Sequence, residues 1–496
     1  MNRLYKLPLV LLILVQLFTP ITIGFAAAAT APAQAQTANA VPAIELQKIR
    51  VSQSPEKVRI VLDVSALPEY SVNLLEDKAP QNKDTSAAHI TVTLPKTINK
   101  GVIPALPAQD PVFKSLRISE AKEGITAVID LKTTAVYNVF TLKNPNRIVI
   151  DIVKKYEHKI KREIAPGLTY TALLRGTAEG PLAAHILDLD PKAGWKLQPL
   201  LSNQKTVGLE KLSSLMQQAK GAAAAVNATY FSLDGTTLGV MQLQDTIVAS
   251  MDITRTALGI LPDGSAIIDD ALYQGSVELP DGQKVTITGV NEERGADALI
   301  LYNSYYDTAT DTNPFGNEYV VVGNKITAIN TNNSVIPQDG FVLSAHGKSQ
   351  QALGKLQVGD TVKVTQSLGD QWSKAVAVIG AGPRLVKNNS IYLTTKLEEF
   401  GSDVAAGRAP RTAVGITKEG HILLVVVDGR QKHSIGLTLL DTALLMQELG
   451  SIQAMNLDGG GSSEMIVQKE IVNKPSDGHE RSIGTALAVV STNLAN

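Results

Sequence analysis

The sequence predicts an N-terminal all-β sandwich followed by a larger, β-rich α+β domain. Three observations carry that prediction. Residues 43–155 hold two similar halves built from short runs in which Val and Ile alternate with polar residues, the signature of half-buried strands. From residue 168 onward such runs dominate, with two amphipathic stretches at helical spacing among them. Each of those stretches stops at a glycine and leads into an apolar run ending in a polar motif. An α+β domain presents side chains at its strand tips in this way.

The N-terminus predicts export. Arg3 and Lys6 precede an almost unbroken apolar run at 7–18, and small residues at 26–35 offer A-x-A cleavage choices. Residues 1–35 therefore read as a signal peptide and leader of a secreted protein. The apolar run is short against the roughly 20 residues of a membrane span, and no later segment is apolar for long enough to cross a bilayer. Residues 27–42, rich in Ala, Pro, Gln and Thr, read as an unstructured leader. There is no cysteine, so disulfides, thiolate metal sites and a lipidated cysteine are excluded. Lys plus Arg total 46 against 47 for Asp plus Glu, which gives no electrostatic case for nucleic acid or an anionic membrane. With 44% hydrophobic and 19% charged residues, a packed globular chain is expected.

Within 43–155, Val58-Arg-Ile-Val-Leu-Asp63 aligns without gaps on Ile125-Thr-Ala-Val-Ile-Asp130. The register continues through Tyr70 on Tyr137 and Leu75 on Leu142. A further strand closes each copy, His89-Ile-Thr-Val-Thr-Leu94 and Arg147-Ile-Val-Ile-Asp-Ile152. Two such halves predict a small β-sandwich. No cluster of catalytic residue types falls here, which favours binding or spacing over chemistry. The pattern resembles the AMIN domain, a sandwich module of bacterial envelope proteins, and that resemblance implies cell-wall targeting. Residues 156–167, in a Lys- and Arg-rich stretch that begins at Lys154 and ends in Pro166-Gly167, read as a charged linker.

Residues 168–496 form the larger domain. Leu209, Leu212, Leu215, Met216 and Ala219 predict a helix over 209–220, stopped by Gly221. Leu440, Leu444, Leu445 and Leu449 predict another over 437–449, stopped by Gly450. Strands follow both, ending at Asn227 and Asn456. Residues 270–370 read as a β-rich insertion in the same domain, with turns at Asp281-Gly282 and Gly359-Asp360.

Five motifs here go beyond loop chemistry. Asn227-Ala-Thr-Tyr230-Phe231 puts an amide at a strand tip beside two aromatic rings; a simple strand-ending turn residue is the alternative. Gly380-Ala-Gly382-Pro383-Arg384 and Pro410-Arg411-Thr412-Ala-Val-Gly415 each place an arginine beside apolar strand residues. The planar fork of such an arginine suits phosphate or carboxylate, and a structural salt bridge is the alternative. Leu423-Leu-Val-Val-Val-Asp428-Gly429-Arg430 delivers an acid and a base at the end of an apolar strand. Met455-Asn456-Leu-Asp458-Gly459-Gly460-Gly461-Ser462-Ser463 sets Asn456 and Asp458 on one face of a strand. Its three glycines let backbone approach a ligand and turn amides toward an anion. No G-x-S-x-G, H-E-x-x-H or phosphate-loop motif occurs. The seven histidines show no metal-type pairing, so no metal and no cofactor is expected. His433 and His479 lie near the motifs in sequence.

Taken in order, these motifs resemble the phosphodiester glycosidase domain. The resemblance implies an enzyme, N-acetylglucosaminidase-like, that hydrolyses a sugar C1–O–P bond. Its expected partner is a cell-wall or exopolysaccharide glycan carrying a phosphodiester-linked sugar. Asp458 is the first candidate for the catalytic carboxylate and Asp428 the second. Arg384, Arg411 and the backbone and hydroxyls of Gly459, Gly460, Gly461, Ser462 and Ser463 would hold the phosphate. Asn227, Asn456 and Tyr230 would contact the sugar. Glu464 departs from the small or hydroxylated residue the family pattern leads one to expect. The competing class is a non-catalytic wall-polysaccharide binding or assembly protein that retains the site as a lectin. A metal-dependent phosphodiesterase is disfavoured by the lack of a histidine cluster.

Overall fold

A computed structural model of the chain describes residues 43–54, 56–76, 88–107, 110–132, 135–154, 156–177 and 179–492. The expected signal peptide and leader, 1–35, lie outside the described residues. Strands dominate throughout, and helices are few and short.

The first region consists of β1 (Ile44–Gln53), β2 (Lys57–Val64), β3 (Ser71–Glu76), β4 (Ala88–Pro95), β5 (Thr97–Asn99), β6 (Phe113–Ala121), β7 (Gly124–Leu131), β8 (Tyr137–Leu142) and β9 (Arg147–Val153). One sheet runs β5-β1-β2-β9-β8 and the other β3-β4-β7-β6. Val58, Ile60 and Leu62 from the first meet Ile125, Ala127 and Ile129 from the second in a common core. The strict alternation of β2 thus reflects one face inside and one outside. The internal repeat is resolved as an exchange of hairpins. β1-β2 and β8-β9 join one sheet through the β2–β9 pairing, and β3-β4 and β6-β7 join the other through the equivalent β4–β7 pairing. An ion pair repeats with it: Arg50 to Asp63 in one half, Arg117 to Asp130 in the other.

The stretch 156–167, expected as a linker, is instead part of a sheet. β10 (Tyr156–Ala165) pairs antiparallel with β11 (Leu168–Gly176) across the Pro166-Gly167 turn. β10 is an edge strand, and Lys159, Lys161, Arg162 and Glu163 are exposed on it. Charge on an unpaired edge deters further strand addition, and it also removes the apolar half of the alternation by which a strand is read from sequence. Lys154, from the same basic cluster, is buried in an ion pair with Asp110 rather than solvated.

From β11 an eight-stranded sheet continues in the order β10, β11, β12 (Pro181–Leu189), Ile422–Val427, Arg411–Thr417, Ser451–Asn456, Arg384–Lys387 and Ser390–Ile391. A five-stranded sheet faces it across a shared core: Trp195–Leu201, Thr485–Ser491, Ala224–Asn227, Met465–Val467 and Glu470–Ile471. The two expected helices cover the outer faces. Leu439–Glu448, opened by a capping box between Thr438 and Asp441, packs Leu439, Ala443 and Met446 against Leu423, Val425 and Val427. Leu212–Gln218 packs Leu212, Leu215 and Met216 against Ala225, Ile466 and Ala488. The second helix is shorter than expected because Glu210–Lys211 pairs as a strand with Ser482–Ile483. Ile422–Val427 reads as an unbroken apolar run because both its faces are covered: Leu424 and Val426 enter the central core while Leu423, Val425 and Val427 lie under the helix.

The expected insertion adds a three-stranded sheet (Lys284–Ile287, Gln274–Glu278, Lys363–Ser367) and a five-stranded one built on Leu299–Asn303 and Gly340–Ala345. A further sheet, which includes Thr246–Ala249, Arg255–Ile260 and Ala377–Gly380, ties the insertion in. Leu258 and Ile379 face the central core, whereas Ala257 and Val378 face the core of the insertion.

Candidate active site

Strand direction assembles the site. Arg411–Thr417 runs antiparallel to both of its neighbours, so Ile422–Val427 and Ser451–Asn456 are parallel and end at one edge of the sheet. Register places Arg411 opposite Val427 and Ala413 opposite Asn456. Asp428 and Asp458 therefore follow strands that finish at the same end of the sheet, with Arg411–Thr417 between them. Ala224–Asn227, from the facing sheet, reaches the same place: the Asn227 amide donates to the Asp458 carbonyl at 2.6 Å.

After Asp458 the backbone makes a single tight helical turn over Gly460–Ser462. Gly460 has φ 62°, a conformation that glycine adopts without strain. A β-carbon on Gly461 would stand 1.9 Å from Nη2 of Arg481, so that guanidinium lies directly on the glycine. One on Gly460 would stand 3.5 Å from Nη1 of Arg430. Two cations thus rest on the turn, together with the Asp477 carboxylate, whose Oδ1 would stand 2.6 Å from a β-carbon on Gly461. Arg430 is exposed, and Arg481 is half-buried with Asp477 2.7 Å away.

Asp458 is half-buried beneath them. Its Oδ1 accepts the Gly459 amide at 2.8 Å, and its own amide donates to Ala228 at 2.8 Å. Burial lifts the carboxyl to about 6. The Ser462 hydroxyl, the Gly459 amide and the charge of Arg481 oppose that lift without cancelling it. A carboxyl in that range exchanges its proton close to neutrality, as general acid–base work requires.

Asp428 is pushed the other way. Burial opposes its ionisation, but bonds from His185, His433 and the Lys474 amide outweigh burial and hold it below the usual aspartate value. His433 Nε2 lies 2.8 Å from Oδ2, and the Asn473 amide and Lys474 N–H donate to Oδ1 at 3.2 and 3.0 Å. His185 lies behind, 3.8 Å from Oδ2, with the Tyr170 hydroxyl 2.8 Å from its Nδ1. Both oxygens of Asp428 are engaged and the residue is 2% exposed. It is a carboxylate that orients His433, whose side chain keeps 28% of its surface, and it does not face the site itself. Asn473 also donates to the Ser463 carbonyl at 3.1 Å, which couples this group to the glycine turn. Two neighbouring acids driven apart in this way fit divided acid–base roles.

Several expected ligand contacts are not available. Arg384 donates to the Ile268 carbonyl and to Gln453, with Asp269 at 3.5 Å. Arg411 donates to the carbonyls of Leu437, Val404 and Gly407 at 2.9, 3.1 and 3.1 Å. Both are buried anchors: strand residues Ile268 and Gln453 accept from Arg384, and segments outside the sheet bring carbonyls to Arg411. Asn227 is likewise consumed, accepting from Thr412 at 2.8 Å and from the Glu464 amide at 3.2 Å. Asn456 donates to the Tyr230 hydroxyl at 2.9 Å, and that hydroxyl donates to Gly382 at 2.9 Å. Tyr230 offers its half-buried ring, tilted against Phe400 at 5.5 Å, rather than its hydroxyl. The backbone cradle is also mostly closed. Gly459 N–H bonds Asp458, Gly460 N–H bonds Pro410, and the amides of Ser462 and Ser463 bond Gly459 and Gly460. Among the described residues this leaves the Gly461 amide without an acceptor. Glu464 is buried; burial, then the neighbouring Glu480, lifts it to about 8, so it adds no second anion near neutrality. Sequence reasoning missed the parts played by Arg430, Arg481, His185 and Asn473. For Arg430 the available signal was its place directly after Asp428-Gly429.

Most of this arrangement lies inside a stretch with known relatives. Residues 315–490 match the phosphodiester glycosidase family. The matched segment contains Asp428, Asp458, Arg430 and Arg481, while Asn227 precedes it. An SPbeta prophage-derived uncharacterized protein of Bacillus subtilis is 40% identical over 80 residues, 16% of this chain and 12% of that protein. The N-acetylglucosamine-1-phosphodiester alpha-N-acetylglucosaminidase of Mus musculus is 29% identical over 156 residues, 29% of this chain and 30% of that enzyme. The chain thus spans less than a third of the length of these relatives. A hypothetical protein from Synechocystis shares the fold, with a TM-score of 0.62 over 90% of this chain and 80% of that one at 21% identity.

Proposed function

We propose that the chain is an exported hydrolase that cleaves the C1–O–P bond of a sugar-1-phosphodiester in a cell-wall or exopolysaccharide polymer. The observation that carries this reading is the Asp458 carboxyl standing beside a glycine turn on which Arg430 and Arg481 rest. A departing phosphate monoester needs its charge held more than it needs a proton. The two guanidinium groups and the Gly461 amide meet that need. Asp458, ionised, stabilises the oxocarbenium-like centre at C1. Water attacks C1 and gives its proton to His433, which Asp428 orients; the C1–O electron pair leaves with the phosphate. The likeness of 315–490 to phosphodiester glycosidases supports the reaction class. The resemblance of the N-terminal sandwich to AMIN modules supports a wall-bound substrate.

The test is incubation of the full chain with UDP-GlcNAc and GlcNAc-1-phospho-methylmannoside in 18O-labelled water. Free GlcNAc carrying the label, lost in Asp458→Asn, is expected. Label in the phosphate would sink the glycosidase mechanism, and tight polymer binding without hydrolysis of any such diester would favour the lectin class. Sedimentation of the full chain with purified cell wall tests targeting, and a chain left in the supernatant would remove that role.

A further inference from the structure

A cleft of about 1050 Å³ opens between the inserted lobe and the segments 236–238 and 250–252, and none of residues 456–463 lines it. Ligand pockets run roughly 300–1,000 Å³, so it has room for several sugar rings. Its walls are rich in hydroxyl and amide groups. Thr286, Ser276 and Thr365 stand opposite one another across the three-stranded sheet, and all three line the cleft. Leu238, 40% exposed, adds an apolar surface of the kind that sugar ring faces cover.

Its charge is one-sided. Asp252, Glu292 and Glu293 line the cleft, and no Lys, Arg or His does. None of the three acids is ion-paired among the described residues. The Glu292 backbone is pinned by the Tyr302 hydroxyl, which donates to its carbonyl at 2.6 Å. Its carboxyl folds against Gly289, where a β-carbon would meet Oε1 at 1.7 Å, and it has no hydrogen-bond donor among the described residues. Burial, then the charge of Asp252, lifts that carboxyl to about 7. Acids gathered in one cleft, with no cationic side chain lining it, favour a cationic ligand. Among the described residues no group of three or more acids or histidines is placed to hold a metal ion. A cation that brings its own N–H donors fits better.

We propose that this cleft is a second carbohydrate-binding site, for a glycan bearing free amino groups. Its carboxyls take the ammonium groups as charge-assisted hydrogen bonds, and its hydroxyls and Leu238 take the rings. The same carboxyls repel a phosphate-bearing chain, so the cleft divides its labour with the Asp458 site. Leu238 pairs directly with Tyr230, which holds Asn456, so one hairpin joins the two sites.

Calorimetry on the full chain tests this, with glucosamine tetramer, N-acetylglucosamine tetramer and tetragalacturonate as probes. The glucosamine tetramer is expected to bind at least tenfold more tightly than the acetylated one, and the anionic one not at all. The Asp252→Asn, Glu292→Gln double variant should lose at least tenfold, and so should Thr286→Arg, a change at an exposed position that leaves the core untouched. Absence of glucosamine binding, equal binding of the acetylated probe, or indifference to both variants overturns the proposal. Repeating the titration in Asp458→Asn separates it from the hydrolase reading, since binding here needs no turnover.

Discussion

Replacing Asp458 by asparagine should make the protein more stable, by an amount that depends on pH. The carboxyl sits at about 6 in the folded chain against 3.8 for a free aspartate. At about 1.4 kcal/mol per tenfold change in proton affinity, that lift corresponds to about 3 kcal/mol. Between those two values the folded state holds a proton that the unfolded chain has released, so stability falls as pH rises. The loss is complete above about 6. Asparagine keeps the shape and carries no charge, so the variant escapes the loss. The variant should be ahead by less than about 1 kcal/mol near pH 4 and by about 3 kcal/mol at pH 7. Urea unfolding followed by tryptophan fluorescence from pH 4 to 8 measures the difference. Trp195 and Trp372, the two tryptophans of the chain, both lie beyond the sandwich, so the signal follows the region that holds Asp458 and separates its transition from that of the first region. A pH-independent difference, or a variant less stable at pH 7, would refute the claim that burial dominates this carboxyl. A gain in stability with loss of turnover is the trade expected of a strained catalytic group.

Arg430→Ala and Arg481→Ala should each raise KM for a sugar-1-phosphodiester about tenfold or more, with the Arg430 effect shrinking in high salt because that side chain is exposed; initial-rate kinetics at two ionic strengths decide this. His433→Ala should lower kcat about a hundredfold or more with little change in KM, and Asp428→Asn should follow it, since that carboxylate acts through the histidine; a raised KM with unchanged kcat in either variant would remove the dyad. Arg411→Met should leave three carbonyls without their donor and cost about 3 kcal/mol or more; an unchanged melting temperature with a raised KM would return that guanidinium to the substrate. Glu464→Gln should be indistinguishable from the parent near pH 4 and more stable near pH 9, because the buried parent carboxyl, raised from 4.5 to about 8, destabilises the fold as pH climbs between those values; parallel melting curves across pH would contradict this.

The sequence by itself determined what depends on local periodicity and local backbone chemistry. Alternation in 58–63 and 125–130 marked the paired halves of the sandwich, since each of their strands buries one face. Helical spacing marked Leu212–Gln218 and Leu439–Glu448, though with longer bounds, and the unbroken run before Asp428 marked a strand covered on both sides. The glycine turn after Asp458 was legible because Gly460 and Gly461 meet a conformational and a steric demand that few other residues meet. Tertiary structure alone decided which polar groups remain available. Arg384 and Arg411 read as phosphate ligands until Ile268, Val404, Gly407 and Leu437 bring carbonyls to them from elsewhere in the chain. Arg430, read only as the base that follows Asp428-Gly429, and Arg481 are the ones laid on the turn. The edge strand β10 was unreadable for a related reason: its charges answer to the missing neighbour on one side, a fact of sheet order that no local pattern records. A side chain's type is written in the sequence, but whether its hydrogen bonds and charge are already satisfied depends on where other segments fold, from Gly407 close by Arg411 in the chain to Asp458 far from Asn227.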